Sequence, residues 1–396
     1  MDKRVPASEL KDRMNRFRDR MNQDCPQWGW AMIFSKINQY YFTGTMQDGM
    51  LIIPKDEEPV YWVRRSYERA VDESRFADIR PMKSYRDAAN AMGKVPDVLY
   101  TETSILPLAL LQRLQKYFPF RQIKSADASV MAVRSIKSKY ELEIMIKAGR
   151  IHRKILEQRV PKLLEEGMTE SDLATRLFTV LMEEGHHGFA RFGMFDTQLG
   201  IGQLGFGESS IYPTFFDGPG GNYGMSPAMP FWGSRDRKLK KGDLVFIDVA
   251  YGIDGYHTDK TMNYMYGRPI PDEAIEIHKH CVKVHRQIAS LLVPGAVPAD
   301  IYREVTGSLD SEFLEHFMGF ENHKVKFLGH GVGLQIDETP VIAAGFTEPL
   351  EANMAIALEP KRGVPGVGLM GTENTWLVTP EGACCITGDS SGLLLV

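Results

Sequence analysis

Cysteine is scarce in this chain. There are four in 396 residues, Cys25, Cys281, Cys384 and Cys385, with no metal-type or redox-type spacing. That excludes a disulfide-stapled scaffold and a cysteine-rich zinc module, and the four read as reduced thiols of a cytoplasmic protein. No apolar run approaches the roughly 20 residues a membrane-spanning helix needs, so no membrane partner is expected. Charge of one sign is not in excess either. Lys and Arg number 47 against 51 Asp and Glu, for a net charge of -4. Such a balance gives no reason to expect nucleic acid or an anionic bilayer as partner. The first residues, MDKRVPASELKDRMNRFRDRM, are charged and helix-like, and are not expected to act as a secretory signal. No internal repeat is visible by eye.

What is present is an ordinary globular composition and a length that allows two or three domains. In the first 130 residues, helical and strand-like segments alternate, which indicates a small α/β domain. Residues 8–22 have helical periodicity; WAMIFSK, GMLIIP, PVYWVRR and DVLYTE have strand character; LPLALLQRLQKYF has helical character. A second domain is expected over 131–396. Ser138 and Glu141 predict a capping box before a long helix, and Thr169 and Asp172 a related cap for the next. Residues 203–236 are rich in glycine, proline and aromatics. A long surface loop is one reading; we favour an adaptable wall of a substrate pocket.

Five acidic and histidine residues in the C-terminal half carry the chemistry: Asp248, Asp259, His330, Glu359 and Glu373. KKGDLVFIDVAYGIDGYHTDKT reads as two strands joined by a hairpin, which brings Asp248 and Asp259 face to face. Asp243 belongs to the turn before the first strand. An acidic pair on a hairpin can also be a solvated edge, but Asp248 interrupts a strongly apolar run where an unpaired charge is expensive. His330 stands between glycines in KFLGHGVGLQIDETP, open to close approach. Glu359 ends the apolar run of MAIALEPKRG, and Glu373 opens one in GLMGTENTWLVTPEG. Alone, His330 could be a core histidine and either Glu a strand-end charge. Together, four carboxylates and one imidazole are what a pair of divalent cations needs.

This ligand order resembles the pita-bread metallopeptidases: methionine aminopeptidase, aminopeptidase P, prolidase and creatinase. Separations of 11 (Asp248 to Asp259), 29 (His330 to Glu359) and 14 residues (Glu359 to Glu373) look like prolidase. So does the flanking text LKKGDLVFID, GYHTDKT, GHGVGL, ALEP and TEN-x-x-LVTPEG. The resemblance covers nearly the whole chain. It implies an α/β (α+β) fold, with a creatinase-type N-terminal domain over 1–130 and a catalytic domain over 131–396. That second domain would carry a curved antiparallel sheet with pseudo-twofold halves.

The resemblance also implies a dinuclear-metal hydrolase of Xaa-Pro peptidase type. Asp248 and Asp259 would hold one ion, His330 and Glu359 the second, with Asp259 and Glu373 bridging. A hydroxide shared by the ions would attack the scissile carbonyl, and Glu359 would shuttle the proton to the leaving nitrogen. Two divalent ions are expected, manganese first, with cobalt, iron or zinc as alternatives. The substrate would be a short peptide with proline after the scissile bond, and the assembly a homodimer. Trp28, Trp30 and Trp62 are candidate exposed aromatics for its interface.

Departures from the family pattern bear on the substrate. Phe231 and Asp337 stand where the peptidases commonly carry histidines, and Gly371 where an arginine often precedes the last glutamate. His257, two residues before Asp259, is expected to share its face and line the pocket. Asp337 could act as a base or meet a cationic substrate group. His186-His187 reads as a helix-end polar pair. A rival reading is therefore a non-peptidase of the same fold that acts on a small cationic molecule, as creatinase, ectoine hydrolase or a dimethylsulfoniopropionate lyase would. A second rival is a catalytically silent binding protein.

Overall fold

The computed structural model describes residues 3–93, 95–197, 199–388 and 390–396. The chain divides into two units, Met1–Arg134 and Ser135–Val396. In the first, apolar strand formers make β1 (Trp30–Ile33), β2 (Asp48–Pro54), β3 (Val60–Arg65), β4 (Ile79–Pro81), β5 (Val98–Thr101) and β6 (Gln122–Ser125). They form one mixed sheet in the order β4-β3-β2-β1-β5-β6. Helices α1 (Ala7–Asp24), α2 (Lys36–Thr43), α3 (Tyr67–Glu73), α4 (Tyr85–Met92) and α5 (Leu108–Gln115) connect or flank the strands, and α6 (Asp127–Ser135) follows. Trp28, Trp30 and Trp62 are not exposed. They are 2%, 7% and 4% accessible and belong to this unit's interior, so they cannot serve as a ready interface.

The second unit opens with α7 (Lys139–Lys154), continued by a π-helical turn over Ile155–Arg159. Ser138 Oγ accepts the Glu141 N–H, and the Glu141 carboxylate accepts the Ser138 N–H. The same reciprocal cap, Thr169 with Asp172, starts α8 (Glu170–Glu183). The strands that follow are β7 (Gly202–Phe206), β8 (Leu244–Ile253) and β9 (Tyr256–Met265). Helices α9 (Asp272–Leu291), α10 (Pro298–Gly307) and α11 (Ser311–Glu315) come next. After them run the short β10 (Gly319–Phe320) and β11 (His323–Lys324), then β12 (Phe327–Gly331), β13 (Glu338–Ala343) and β14 (Ala355–Leu358). The chain closes with β15 (Lys361–Val364), β16 (Gly368–Gly371), β17 (Glu373–Thr379), β18 (Gly382–Cys385) and β19 (Leu393–Leu395).

The main sheet runs β13-β12-β14-β17-β9-β8-β7, with β18 beside β17 and β19 beside β9. All its pairings are antiparallel except β19 with β9. It is the curled antiparallel half-barrel expected of the fold. The β8–β9 turn is Asp254-Gly255, both at positive φ, as a two-residue hairpin turn demands. Strand alternation then sorts the side chains. Val245, Ile247, Val249 and Tyr251 join Met262 and Tyr264 in the core beneath α7 and α8. Asp248 and Asp259 are left for the opposite face.

The glycine-rich segment is a long loop with a regular start. Its first residues form β7, paired with β8 through Gln203 and Asp248. The buried Glu170 carboxylate accepts the Phe206 and Ser234 N–H groups, both at 2.7 Å, which ties the two ends of the segment to the start of α8.

Candidate functional site

Four of the five expected residues lie on strands of one sheet, β8, β9, β12 and β17, and the fifth, Glu359, comes directly after β14. Asp259 pairs with Ala250, and Asp248 with Thr261, so the two aspartates meet diagonally on one face. Glu373 lies across from Thr261, whose hydroxyl donates to it at 2.8 Å. His330 pairs with Ala357 on β14, and Glu359 follows that strand directly. His330 Nε2 stands 3.4 Å from Glu359 and 3.9 Å from Glu373. The donor atoms of Asp259, His330 and Glu373 lie within 4.8 Å of one another, as do those of Asp248, Glu359 and Glu373. These carboxylates and the imidazole line a cavity of about 600 Å³. Phe192, Phe216, Phe327, Ile336, Val341 and Phe346 supply its apolar lining.

A sixth residue belongs to the site. Lys361, fully buried, donates to Asp248 at 2.8 Å, Glu359 at 2.9 Å and Glu373 at 2.7 Å. Its ammonium sits within the second of the two donor sets. Sequence reading missed it, although a signal existed: Lys361 is two residues after Glu359, and alternation puts such neighbours on one face.

The electrostatics follow from burial and these contacts. Burial, then the Asp248 charge, raises Asp259 to about 7. Burial opposes ionisation of Glu359, but Lys361 and His330 outweigh it and hold the group at about 2. Burial likewise opposes the His330 imidazolium, yet Glu359 wins and raises it to about 9. Lys361 is held well above its ordinary value: burial works against the ammonium, and Asp248, Glu359 and Glu373 overcome it. The chemistry of the first donor set, two carboxylates and an imidazole, suits a divalent ion. The second set already surrounds a cation.

The three expected substrate residues fare differently. Asp337 lines the cavity, but its carboxylate accepts the Gly193 and Met194 N–H groups at 2.5 and 2.7 Å. It anchors that segment instead of waiting for a partner. His257 is not among the lining residues. It lies nearer the hairpin tip than Asp259, with Nε2 3.0 Å from His187 Nε2 and Nδ1 3.0 Å from the Gly333 carbonyl. His186 and His187 do follow the end of α8, where the His186 N–H bonds the Leu181 carbonyl, and both also pack on the hairpin, His186 accepting the Gly252 N–H. Phe231 packs edge-on against Phe215, also outside the lining. The glycine-rich segment does reach the cavity, through Gln203 and residues 216–219.

Comparison with known proteins agrees with this architecture. Residues 143–380 match the profile of "Metallopeptidase family M24", and residues 13–136 that of the "Creatinase/Prolidase N-terminal domain". A curated relative named "Xaa-Pro dipeptidase", from Pyrococcus furiosus, is 26% identical over 366 residues, covering 92% of this chain and 94% of that one. The prolidase structure from Pyrococcus horikoshii OT3 superposes with a TM-score of 0.77 at 23% identity, covering 95% and 98% of the two chains. A Bacillus anthracis structure described as Xaa-Pro dipeptidase gives 0.79 at 19% identity, covering 98% and 100%. At these identities the structures speak for the fold. The chain belongs to metallopeptidase family M24, in its prolidase-like branch with a creatinase-type N-terminal domain, and is a metallopeptidase-type hydrolase.

Proposed function

We propose that the protein hydrolyses short peptides of Xaa-Pro type with the help of a divalent ion. The observation that carries this reading is the convergence of Asp248, Asp259, His330, Glu359 and Glu373 in the lining of a largely apolar cavity in an M24 chain. Asp259, His330 and Glu373 would hold an ion, and a carboxylate-rich donor set favours manganese among the candidates. When bound, the ion lowers the pKa of water and polarises a carbonyl. The chain's own groups do the rest. Glu359 is the candidate proton acceptor; Lys361 and His330 keep its carboxylate ionised, and the same contacts weaken it as a base. The aromatic and aliphatic walls receive a proline ring and exclude water. Lys324 and Lys326 also line the cavity and are exposed, so they offer cations to the carboxylate of a dipeptide.

The same cavity disfavours the small-cation reading. Its two sequence supports were Phe231, which lies outside the lining, and Asp337, which is occupied by backbone N–H groups. Retention of all five candidate ligands speaks against a silent binding protein. A homodimer and residence in the cytoplasm complete the proposal, on likeness to prolidases alone. Among the described residues no helix is long and apolar enough to cross a membrane. Light scattering tests the dimer.

The test of substrate class is a panel of Xaa-Pro dipeptides, longer Xaa-Pro peptides, creatine and betaine-like compounds, each with Mn²⁺. Release of proline from dipeptides is expected. Turnover of a cationic small molecule with no peptide cleavage would overturn the reading.

A further inference from the structure

The site contains a cation of its own. Of the two donor sets, one comprises Asp248, Glu359 and Glu373, and these are the three groups to which the Lys361 ammonium donates. An ammonium with three hydrogen bonds to three carboxylates has used all its donors. The lysine side chain is fully buried, so it has no solvent-exposed resting place.

The backbone is arranged around this side chain. Lys361 pairs with Gly371 across β15 and β16. Gly371 has φ of +147°, where side chains are rarely tolerated. A Cβ there would meet the Pro360 carbonyl oxygen at 2.5 Å, Lys361 Cα at 2.6 Å and Lys361 Cγ at 2.9 Å. The residue without a side chain is therefore what lets the lysine stem pass, and the two positions work as a pair. The Phe246 ring flanks the ammonium, its centroid 6.0 Å from Nζ.

Electrostatics point the same way. A second ion at Asp248, Glu359 and Glu373 would have to share their oxygens with the buried Lys361 ammonium, which already lies within 2.9 Å of each, and two cations held that close repel one another.

We propose that Lys361 takes the place of one of the two divalent ions, so that the chain binds one ion, at Asp259, His330 and Glu373, and excludes a second from Asp248, Glu359 and Glu373. The inference rests on the metal-hydrolase reading above, but its test reads ion stoichiometry and not turnover.

The full chain is stripped with chelator and dialysed to equilibrium against Mn²⁺ or Co²⁺, and bound ion is counted by elemental analysis. The Co²⁺ spectrum follows the same titration. Wild type is expected to bind one ion per chain. Lys361→Met keeps the stem without the charge, and is expected to bind two. Lys361→Arg keeps the charge and is expected to bind no more than one. Two ions in wild type overturn the inference and leave the hydrolase reading standing. One ion in both wild type and a folded Lys361→Met also overturns it. No ion in wild type with ions in Lys361→Met overturns the count of one ion and refutes the metal-hydrolase reading with it. No ion in either refutes both. If Lys361→Met does not fold, the wild-type count decides alone.

Discussion

Removing the Lys361 charge should destabilise the metal-free protein. Asp248, Glu359 and Glu373 have side-chain exposures of 17%, 5% and 1%, and each is within 2.9 Å of the ammonium. Lys361→Met leaves them as buried like charges without that partner. Breaking a buried ion pair by deleting one member costs about 3–5 kcal/mol. For a unit of this size each kcal/mol shifts Tm by roughly 2–4 °C, so metal-free Lys361→Met should melt about 6–20 °C below metal-free wild type. Carboxylates relieve the repulsion by taking up protons, so the gap should be smaller at pH 5 than at pH 8. An ion that fills the vacated position offsets part of the loss. At one hundred times its Kd it contributes about 2.7 kcal/mol. The assay is differential scanning calorimetry of both proteins in chelator and in saturating Mn²⁺. Equal melting temperatures in chelator would refute the reasoning, because the lysine would then be holding nothing together.

Asp337→Ala should destabilise the protein by about 1–3 kcal/mol, since it leaves two N–H groups without their acceptor. It should also raise KM, because Met194, which it anchors, lines the cavity; unchanged denaturant midpoint and KM would contradict this. Burial lowers His186 to about 4, His187 to about 2 and His285 to about 3. The unfolded chain takes up protons below its ordinary value near 6.5 while the folded chain does not. Stability should thus be flat in this respect above pH 6.5, and fall below it by up to about 1.4 kcal/mol per pH unit for each histidine. The test compares wild type with His285→Gln: the change in urea midpoint from pH 7.5 to 5.5 in chelator should be less destabilising in the variant, since the raised Asp259 and His330 cancel in the difference, and equal changes in both proteins would refute the position of His285. Ser138→Ala should cost about 1 kcal/mol by removing the α7 cap, read as a shifted denaturation midpoint.

Much of this was legible in sequence because it is local or periodic. The two capping boxes and the Asp-Gly hairpin depend on residues within a few positions of each other. The inward face of β8 follows from period two, so Asp248 and Asp259 could be assigned to one surface. What failed depended on contacts distant in sequence. Parity alone put His257 beside Asp259, but His187 and the Gly333 carbonyl come from elsewhere and enclose it. Asp337 looked unpartnered because its donors, Gly193 and Met194, are about 140 residues away. The three tryptophans are buried and not exposed as the sequence suggests, because a small sheet domain must use its largest apolar side chains to fill its interior. Lys361 was passed over because a lysine beside a strand-end glutamate usually faces water. Only the meeting of β8, β15 and β17 shows three carboxylates around it.

The central claim is that peptide hydrolysis here depends on a divalent ion held by these residues. The most direct measurement follows proline release from an Xaa-Pro dipeptide by chelator-stripped protein as Mn²⁺ is added back, with His330→Ala as control. The account predicts no release without ion, recovery that saturates with ion binding, and no recovery in His330→Ala. Undiminished hydrolysis in chelator, or full recovery in the variant, would contradict it.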